Sequence, residues 1–290
     1  MSDKKLTLFL VEQWITTVAT GEFHYKQVLE GDIEADAYPK LREYISRCCE
    51  KGICESLGRR DGWYRPIQEL PTPVNWQGAN AQKDFPVILP FGLRKYIWVA
   101  PETTSMVAGS KDSGKTLMLM KTVVLNMRNP EFKVIFLTNM EEGVNQLKRR
   151  FEYMGVPNPA PFLTYQIVDN FHDAIKEANT LYVIDYIDVP ESGEFYMIAP
   201  AVAKIQVRLV GLNSVAIIGL QKKMGSDWAY GGQQTLKKAT FYLAMDVGKL
   251  KIISAKIPAD PKILPKNMQW SFGYNETGSD FTNIERYYGE

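Results

Sequence analysis

The chain has 290 residues, of which 45% are hydrophobic and 23% are charged, and its formal net charge is +1. This length fits one large domain or two modest ones, and the composition excludes a disordered or fibrous chain. No apolar stretch is long and charge-free enough for a membrane span, and the balanced charge excludes binding of nucleic acid through overall basicity.

The first 67 residues predict a small domain of three helices and a hairpin. "LTLFLVEQWITTVA" is amphipathic, and "HYKQVLEG" predicts a second short helix. In "DAYPKLREYISRCCEKG", Asp36 would cap the third helix, Pro39 lies in its first turn and Gly52 would end it. "ICESLGRRDGWYRPI" predicts two strands around a turn. This order resembles a winged helix-turn-helix domain, whose third helix commonly enters the DNA major groove.

Basic residues of this module cluster on the predicted third helix and in the wing. If the module binds duplex DNA, we expect Lys40 and Arg47 of the helix and Arg59 and Arg60 of the wing to contact phosphates. Acids such as Glu43 share the helix surface with them. A winged helix that contacts another protein is therefore an open alternative.

The three cysteines of the chain all lie in this N-terminal module, at Cys48, Cys49 and Cys54. Three cysteines cannot build a disulfide framework, and this spacing is not a zinc pattern. We therefore expect small, reduced core residues in a cytoplasmic protein.

Proline-rich residues 68–98 predict an extended linker that leads into the next domain. In residues 99–290, short β-rich runs alternate with helical stretches. That alternation is typical of an α/β fold with a mainly parallel sheet and crossover helices.

The stretch "GSKDSGKT" matches the phosphate-loop pattern G-x-x-x-x-G-K-S/T. Glycines permit a tight loop whose N–H groups point at phosphates, Lys115 would reach the β- and γ-phosphates, and the Thr116 hydroxyl would ligate Mg²⁺. The strand "TSMVAG" before it and the helix "TLMLMKTVVLNM" after it favour this interpretation over an incidental glycine-rich turn. The predicted ATP-binding residues are Gly109, Ser110, Lys111, Asp112, Ser113, Gly114, Lys115 and Thr116.

A nucleoside triphosphatase also needs a carboxylate near the magnesium ion, at the end of a buried strand. "TLYVIDYID" contains a continuous apolar run that ends at Asp185, and Asp188 beyond it is a weaker candidate. We expect Asp185 to support Mg²⁺, with a helix cap as the alternative role.

Hydrolysis needs a group that orients or deprotonates water. "KVIFLTNMEEG" predicts a second buried strand that ends in Glu141 and Glu142, and we favour Glu141 for this role. Alternatively, both glutamates only place negative charge in the first turn of the next helix.

A third buried strand, "NSVAIIGLQKK", ends at Gln221, whose amide could sense the phosphate or simply face solvent. The loop after it carries Lys222, Lys223, Trp228 and Tyr230. A loop that combines lysines with aromatic residues can bind single-stranded DNA, because the cations contact phosphates and the rings stack on bases. The alternative is an ordinary loop packed by its own aromatic rings.

Taken in order, these segments resemble the RecA-like ATPases, and among them the hexameric replicative helicases. "LYVIDYID" is similar to the magnesium-binding strand of that family, "KVIFLTNMEEGVNQLKRRF" to the strand with the catalytic glutamate, and "VAIIGLQKK" to the sensor strand. The resemblance implies a RecA-like core that binds ATP and Mg²⁺. It also implies a homo-oligomer, with a hexameric ring as the specific form, and single-stranded DNA held by core loops.

The chain departs from that family at two places. Asn139 and Met140 stand where the catalytic glutamate is expected, which leaves Glu141 and Glu142 both open. In that family a lysine and an arginine two positions on reach the neighbouring subunit's nucleotide; "SAKIPAD" keeps Lys256, which could still do so, but has Pro258 at the arginine's place. Loss of such an arginine can cost orders of magnitude in rate, so slow turnover or an ATP-bound switch is expected as an alternative.

The sequence thus predicts a DNA-associated ATPase that acts as a helicase-like motor on single-stranded DNA. An ATP-switched DNA-binding regulator or helicase loader is the first alternative, and a small-molecule kinase with the same phosphate loop is the second.

Overall fold

The computed structural model describes residues 6–19, 21–30, 33, 35–58, 60–67, 76–187 and 195–287. The chain divides into two compact units, Met1–Ala79 and Asn80–Glu290, each with its own hydrophobic core. Residues 80–98, predicted to lead into the core, belong to the second unit, where Val87 and Leu93 are fully buried. Arg59, Asp188 and residues 68–75 of the predicted linker lie outside the described residues.

The first unit packs two helices against a three-stranded antiparallel sheet, with strand order β1-β3-β2 among the described residues. Val11 and Ile15 of the first helix and Leu41 and Ile45 of the second are fully buried, because each helix turns its apolar stripe to the same core. The elements are α1 Leu8–Thr17, β1 Phe23–His24, α2 Tyr38–Glu50, β2 Cys54–Ser56 and β3 Trp63–Pro66.

Two details of this unit differ from the sequence-based prediction. The second predicted helix is only a single 3₁₀ turn, Tyr25–Gln27, because His24 pairs with Trp63 in the sheet and its N–H donates to the Gln27 side chain at 2.7 Å. Asp36 does not cap α2; it lies in a preceding 3₁₀ turn, and the helix begins at Tyr38 without a side-chain cap. The hairpin of β2 and β3 is confirmed.

The second unit is built on a nine-stranded sheet, counted over the described residues, with order β12-β11-β10-β9-β4-β8-β7-β5-β6. The six strands from β9 to β6 in that order run parallel, and β10, β11 and β12 add antiparallel pairs at one edge. The strands are β4 Thr104–Gly109, β5 Lys133–Thr138, β6 Leu163–Gln166, β7 Thr180–Ile187, β8 Val215–Gln221, β9 Ala239–Asp246, β10 Lys249–Ala255, β11 Gln269–Tyr274 and β12 Phe281–Tyr287.

Helices cover both faces of this sheet. They are α3 Lys115–Asn126 and α4 Gly143–Tyr153 on one face and α5 Ile198–Leu209 on the other. The central strand β4 is buried along its whole length: Val107 packs toward α3, whereas Met106 and Ala108 pack toward α5. The α/β class and the mainly parallel sheet predicted from the sequence are confirmed.

Strands β4, β5, β7 and β8 are neighbours and parallel, so their carboxyl ends meet at one edge of the sheet. Gly109, Thr138 and Gln221 end three of these strands, and Asp185 lies near the end of β7. The peptide bond between Asp185 and Tyr186 is cis. None of the described helices combines the length and the apolar character that a membrane span requires.

Candidate nucleotide site and DNA-contact residues

The two glycines of the phosphate loop are each required by close contacts. A Cβ atom at Gly109 would lie 2.6 Å from both the Ser113 Oγ and the Lys115 Cβ, so a side chain there would fill the loop. Gly114 has a φ of +80°, and a Cβ there would lie 2.9 Å from the Tyr274 hydroxyl. The loop therefore encloses a cradle that glycine keeps open.

The interior of this cradle is polar. The Ser113 Oγ is buried and has no hydrogen-bond partner among the described residues, which is costly unless a ligand or water completes it. The loop joins β4 to the N-terminus of α3, where N–H groups and the helix dipole favour an anion. These features fit a phosphate group.

Lys115, the first residue of α3, is buried and held above the end of the sheet. Its Nζ donates to the Gln221 Oε1 at 3.3 Å. The same Nζ lies 3.5 Å from the centroid of the Tyr186 ring. The predicted phosphate lysine and the predicted sensor amide are therefore in direct contact.

Thr116 and Asp185 lie side by side: the Thr116 hydroxyl donates to the Asp185 Oδ1 at 3.2 Å. Burial raises the pKa of Asp185, while the Lys115 charge and the hydrogen bond from Thr116 oppose that rise. A hydroxyl next to a carboxylate is the oxygen-donor set that Mg²⁺ prefers, so these two residues fit a magnesium site.

The turn after β5 carries both candidate glutamates. Met140 has a φ of +62°, an uncommon conformation for a long side chain that is often found at functional sites. The Glu141 Oε1 accepts a hydrogen bond from the Tyr186 hydroxyl at 2.6 Å. The Glu142 carboxylate instead pairs with Arg150 at 2.7 Å. The two neighbouring carboxylates thus have different partners.

One cleft of about 620 Å³ connects these groups. It brings together nearly all of the predicted nucleotide-binding and hydrolytic residues of this unit, with Asp185 next to Thr116 in an adjoining smaller cavity. The site residues predicted from the sequence that line this cleft are Ser110, Lys111, Asp112, Ser113, Gly114, Lys115, Thr116, Glu141, Glu142 and Gln221.

The residues of this cleft that the sequence did not indicate include Arg150, Tyr186 and Tyr274. Arg150 comes from α4, and Tyr274 ends β11 and places its hydroxyl 3.4 Å from the Asp112 carbonyl oxygen, to which it donates. The sequence could have indicated Tyr186, because it directly follows Asp185, the predicted magnesium carboxylate. Nothing in the local sequence indicates Tyr274, which lies far along the chain.

Lys222, a predicted DNA contact, has a buried side chain in this structure, and its contact with DNA stays a prediction. Its side chain is fully buried, and its Nζ lies 2.6 Å from the Asp246 Oδ1. Its backbone N–H also donates to the Gly109 carbonyl oxygen at 3.1 Å. Lys222 therefore anchors the entrance of the phosphate loop to the end of β9, whereas its neighbour Lys223 is exposed.

The Lys222–Asp246 ion pair should make stability pH-dependent. Burial would raise the pKa of Asp246, but hydrogen bonds from Lys222 and the Gly225 N–H, with the Lys222 charge, hold that pKa below its ordinary value. A lowered folded-state pKa stabilises the fold at pH values above the ordinary pKa. That contribution is lost as the pH falls through the folded-state pKa.

We expect Lys222→Met to lower the free energy of unfolding by about 3 kcal/mol at neutral pH, because it leaves the Asp246 charge without its partner. Thermal unfolding of the variant and of wild type, measured from neutral to acidic pH, tests this. The difference should shrink as Asp246 becomes protonated. Lys223→Met is the matched control and should leave the melting temperature unchanged; equal melting temperatures for Lys222→Met and wild type would contradict the expectation.

The aromatic residues of the same loop pack against the core. Tyr230 stacks on Phe195 with ring centroids 4.4 Å apart, and Trp228 meets Tyr242 edge-on at 6.0 Å. Both rings are only partly exposed. This arrangement is the one expected of a loop packed by its own rings. Stacking of Trp228 and Tyr230 on DNA bases stays a prediction.

Lys256 lies just after β10, and its Nζ donates to the Lys237 carbonyl oxygen at 2.9 Å. In the part of the chain that the structure describes, it does not line the cleft. An action on a neighbouring subunit's nucleotide stays a prediction for this residue.

In the N-terminal unit, the three predicted DNA-binding residues that the structure describes have acidic or aromatic partners. Arg47 pairs with Glu43 at 2.6 Å, and Arg60 pairs with Glu22 at 3.4 Å. The Lys40 Nζ lies 5.7 Å from the centroid of the Tyr44 ring. Exposed pairs of this kind are weak and can be exchanged for phosphates. The acidic partners Glu43 and Glu22 also make this surface less positive. A surface of mixed charge is equally suited to a module that binds another protein.

Comparisons with known proteins add little. No protein-family model matches the chain, and no curated protein sequence matches it. Among solved structures, the chain is similar to a crystal structure of the RadB recombinase. The TM-score is 0.47 with 17% sequence identity, and the match covers 64% of this chain and 92% of that one. A likeness at this level does not bear on function.

Proposed function

We propose that this chain is a DNA-associated ATPase that binds and hydrolyses ATP. The observation that carries this proposal is the cleft itself. Lys115 and Thr116 of the phosphate loop, Asp185 of β7 and the carboxylate of Glu141 surround the carboxyl ends of neighbouring parallel strands. A cation, a metal-binding pair and a carboxylate are the parts that phosphoryl transfer to water requires.

Each residue has a role in the proposed reaction. Lys115 and the loop N–H groups bind the phosphates, Thr116 and Asp185 hold the magnesium ion, and Glu141 orients or deprotonates the attacking water. Bound Mg²⁺ would neutralise charge on the phosphates. Gln221 contacts Lys115, so it is placed to respond when a phosphate arrives.

The finer proposal is a helicase-like motor on single-stranded DNA, with a RecA-like core that assembles into a homo-oligomer, a hexameric ring being the specific form. It is supported by the order of the motif-bearing strands and by the loop from 222 to 230. Two backbone hydrogen bonds connect that loop to the site. The Lys222 N–H donates to the carbonyl oxygen of Gly109, and the Tyr230 N–H donates to the carbonyl oxygen of Gln221. A change at the phosphates could therefore move this loop.

The N-terminal unit is proposed to be a winged-helix module that contacts duplex DNA. Its sheet order β1-β3-β2 and the position of α2 before the β2–β3 hairpin support this. The ion pairs on its arginines favour, as the alternative, a module that binds another protein. Cytoplasmic placement stays a prediction.

Two other functions use the same phosphate loop. An ATP-switched regulator or loader would bind ATP and DNA with little turnover, and Pro258, where the family has an arginine, favours this alternative. A small-molecule kinase would transfer the phosphate to a metabolite.

The experiment that separates these functions is ATP turnover by the purified chain with and without single-stranded DNA. We expect turnover that single-stranded DNA increases. DNA and ATP binding without turnover would favour the switch. A phosphorylated metabolite, with no effect of DNA, would favour the kinase and overturn the proposed function.

A further inference from the structure

Tyr186 contacts two of the proposed functional groups at once. It follows Asp185 on β7 and lies half-buried in the wall of the cleft. The Lys115 Nζ lies 3.5 Å from the centroid of its ring, well inside the distance of about 6 Å at which cations and aromatic faces attract. The ring is thus a platform for the ammonium of the phosphate lysine.

The hydroxyl of the same residue reaches across the cleft to the candidate base. It donates to the Glu141 Oε1 at 2.6 Å, a short bond of the kind formed with a charged acceptor. Glu141 is exposed on a turn, where a side chain is poorly constrained by packing. The bond to Tyr186 therefore restricts where its carboxylate points.

Strand β8 has a glycine beside Tyr186. Gly219 lies in the middle of β8, where a glycine normally weakens a strand. A Cβ at this position would lie 3.1 Å from the Tyr186 Cβ and 2.7 Å from the Leu119 Cδ1. The glycine thus leaves room for the Leu119 side chain and for the close approach of β7 at residue 186.

We propose that Tyr186 is a positioning residue that holds Lys115 and Glu141 in one arrangement across the cleft. The part of this inference that concerns Glu141 rests on the proposed function, in which Glu141 acts on water. The ring keeps the lysine directed at the phosphate loop. The hydroxyl keeps the carboxylate directed into the cleft, and misplacement of a catalytic group by about 1 Å can cost about 100-fold in rate.

Two substitutions separate the ring from the hydroxyl. Tyr186→Phe keeps the ring, so ATP affinity and KM should stay within about twofold of wild type, while kcat should fall by about 10- to 100-fold. Tyr186→Leu also removes the ring, so ATP affinity itself should fall by about fivefold. Calorimetric titration with ATP and steady-state turnover measure the two effects.

Tyr182→Phe is the matched control. Tyr182 lies on the same strand, and its hydroxyl accepts from the N–H groups of Lys176 and Glu177. This variant should lose stability but keep kcat. A drop in kcat for Tyr182→Phe equal to that for Tyr186→Phe would show a merely structural effect and overturn the proposal.

The remaining outcomes are also decisive. Unchanged kcat in Tyr186→Phe overturns the link to Glu141, and unchanged ATP affinity in Tyr186→Leu overturns the link to Lys115. If wild type binds ATP but does not hydrolyse it, the proposed function fails, yet the affinities of the two variants still decide whether the ring holds the lysine.

Discussion

Lys115→Ala is expected to abolish ATP turnover and to weaken ATP binding by at least about tenfold, since a hydrogen bond to a charged group contributes about 1.5–3 kcal/mol. Lys115 is the cation that α3 and the phosphate loop place at the carboxyl ends of the parallel strands. Two of its contacts, with Gln221 and with the Tyr186 ring, are to uncharged groups, and its charge also acts on the Asp185 carboxylate.

Calorimetric titration with ATP and a phosphate-release assay measure this effect. Lys133→Ala is the matched control, because Lys133 begins β5 at the opposite edge of the sheet and pairs with Glu177 on the surface. It should bind and hydrolyse ATP like wild type. A folded Lys115→Ala variant with wild-type affinity and turnover would show that this loop does not bind the phosphates.

Much of the core could be predicted because its signals are local. An apolar run followed by a glycine-rich loop and a helix identified β4 and α3, and the strands with Asp185 and Gln221 were read in the same way. Since parallel strands end at a common edge, local patterns also predicted that Thr116 and Asp185 would meet. The structure brings the Thr116 Oγ1 and the Asp185 Oδ1 within 3.2 Å of each other.

Sequence patterns say least where the setting of a side chain depends on a distant partner. Lys222 follows a strand and precedes glycines, which is the pattern of an exposed loop cation. Its partner Asp246 lies 24 residues away, at the end of β9. Trp228 and Tyr230 have the composition of a stacking surface, yet Tyr242 and Phe195 from other elements cover their rings. Composition indicates what a ring could bind but not what already packs against it.

The choice between Glu141 and Glu142 also depends on distant partners. Glu142 lies directly before α4 and pairs with Arg150 of that helix. This pair is about half exposed, with 40% of the Arg150 and 49% of the Glu142 side chain accessible, so it contributes only about 0–1 kcal/mol to stability. Glu141 instead bonds Tyr186, whose ring carries Lys115. Through Tyr186, Glu141 is linked to the phosphate lysine, whereas the ion pair of Glu142 is with Arg150.

Glu141→Gln is therefore expected to leave ATP bound but to reduce turnover by about 10²- to 10⁴-fold, the contribution typical of a general base. Glutamine keeps the size of the side chain and can still accept from the Tyr186 hydroxyl, so ATP affinity should change little. Glu142→Gln, the matched control, should keep most of the turnover, because it removes only the partner of Arg150. Single-turnover hydrolysis and ATP titration of both variants decide the assignment. If Glu142→Gln stops hydrolysis and Glu141→Gln does not, Glu142 is the base, and its pairing with Arg150 would then be a resting contact that ATP must release.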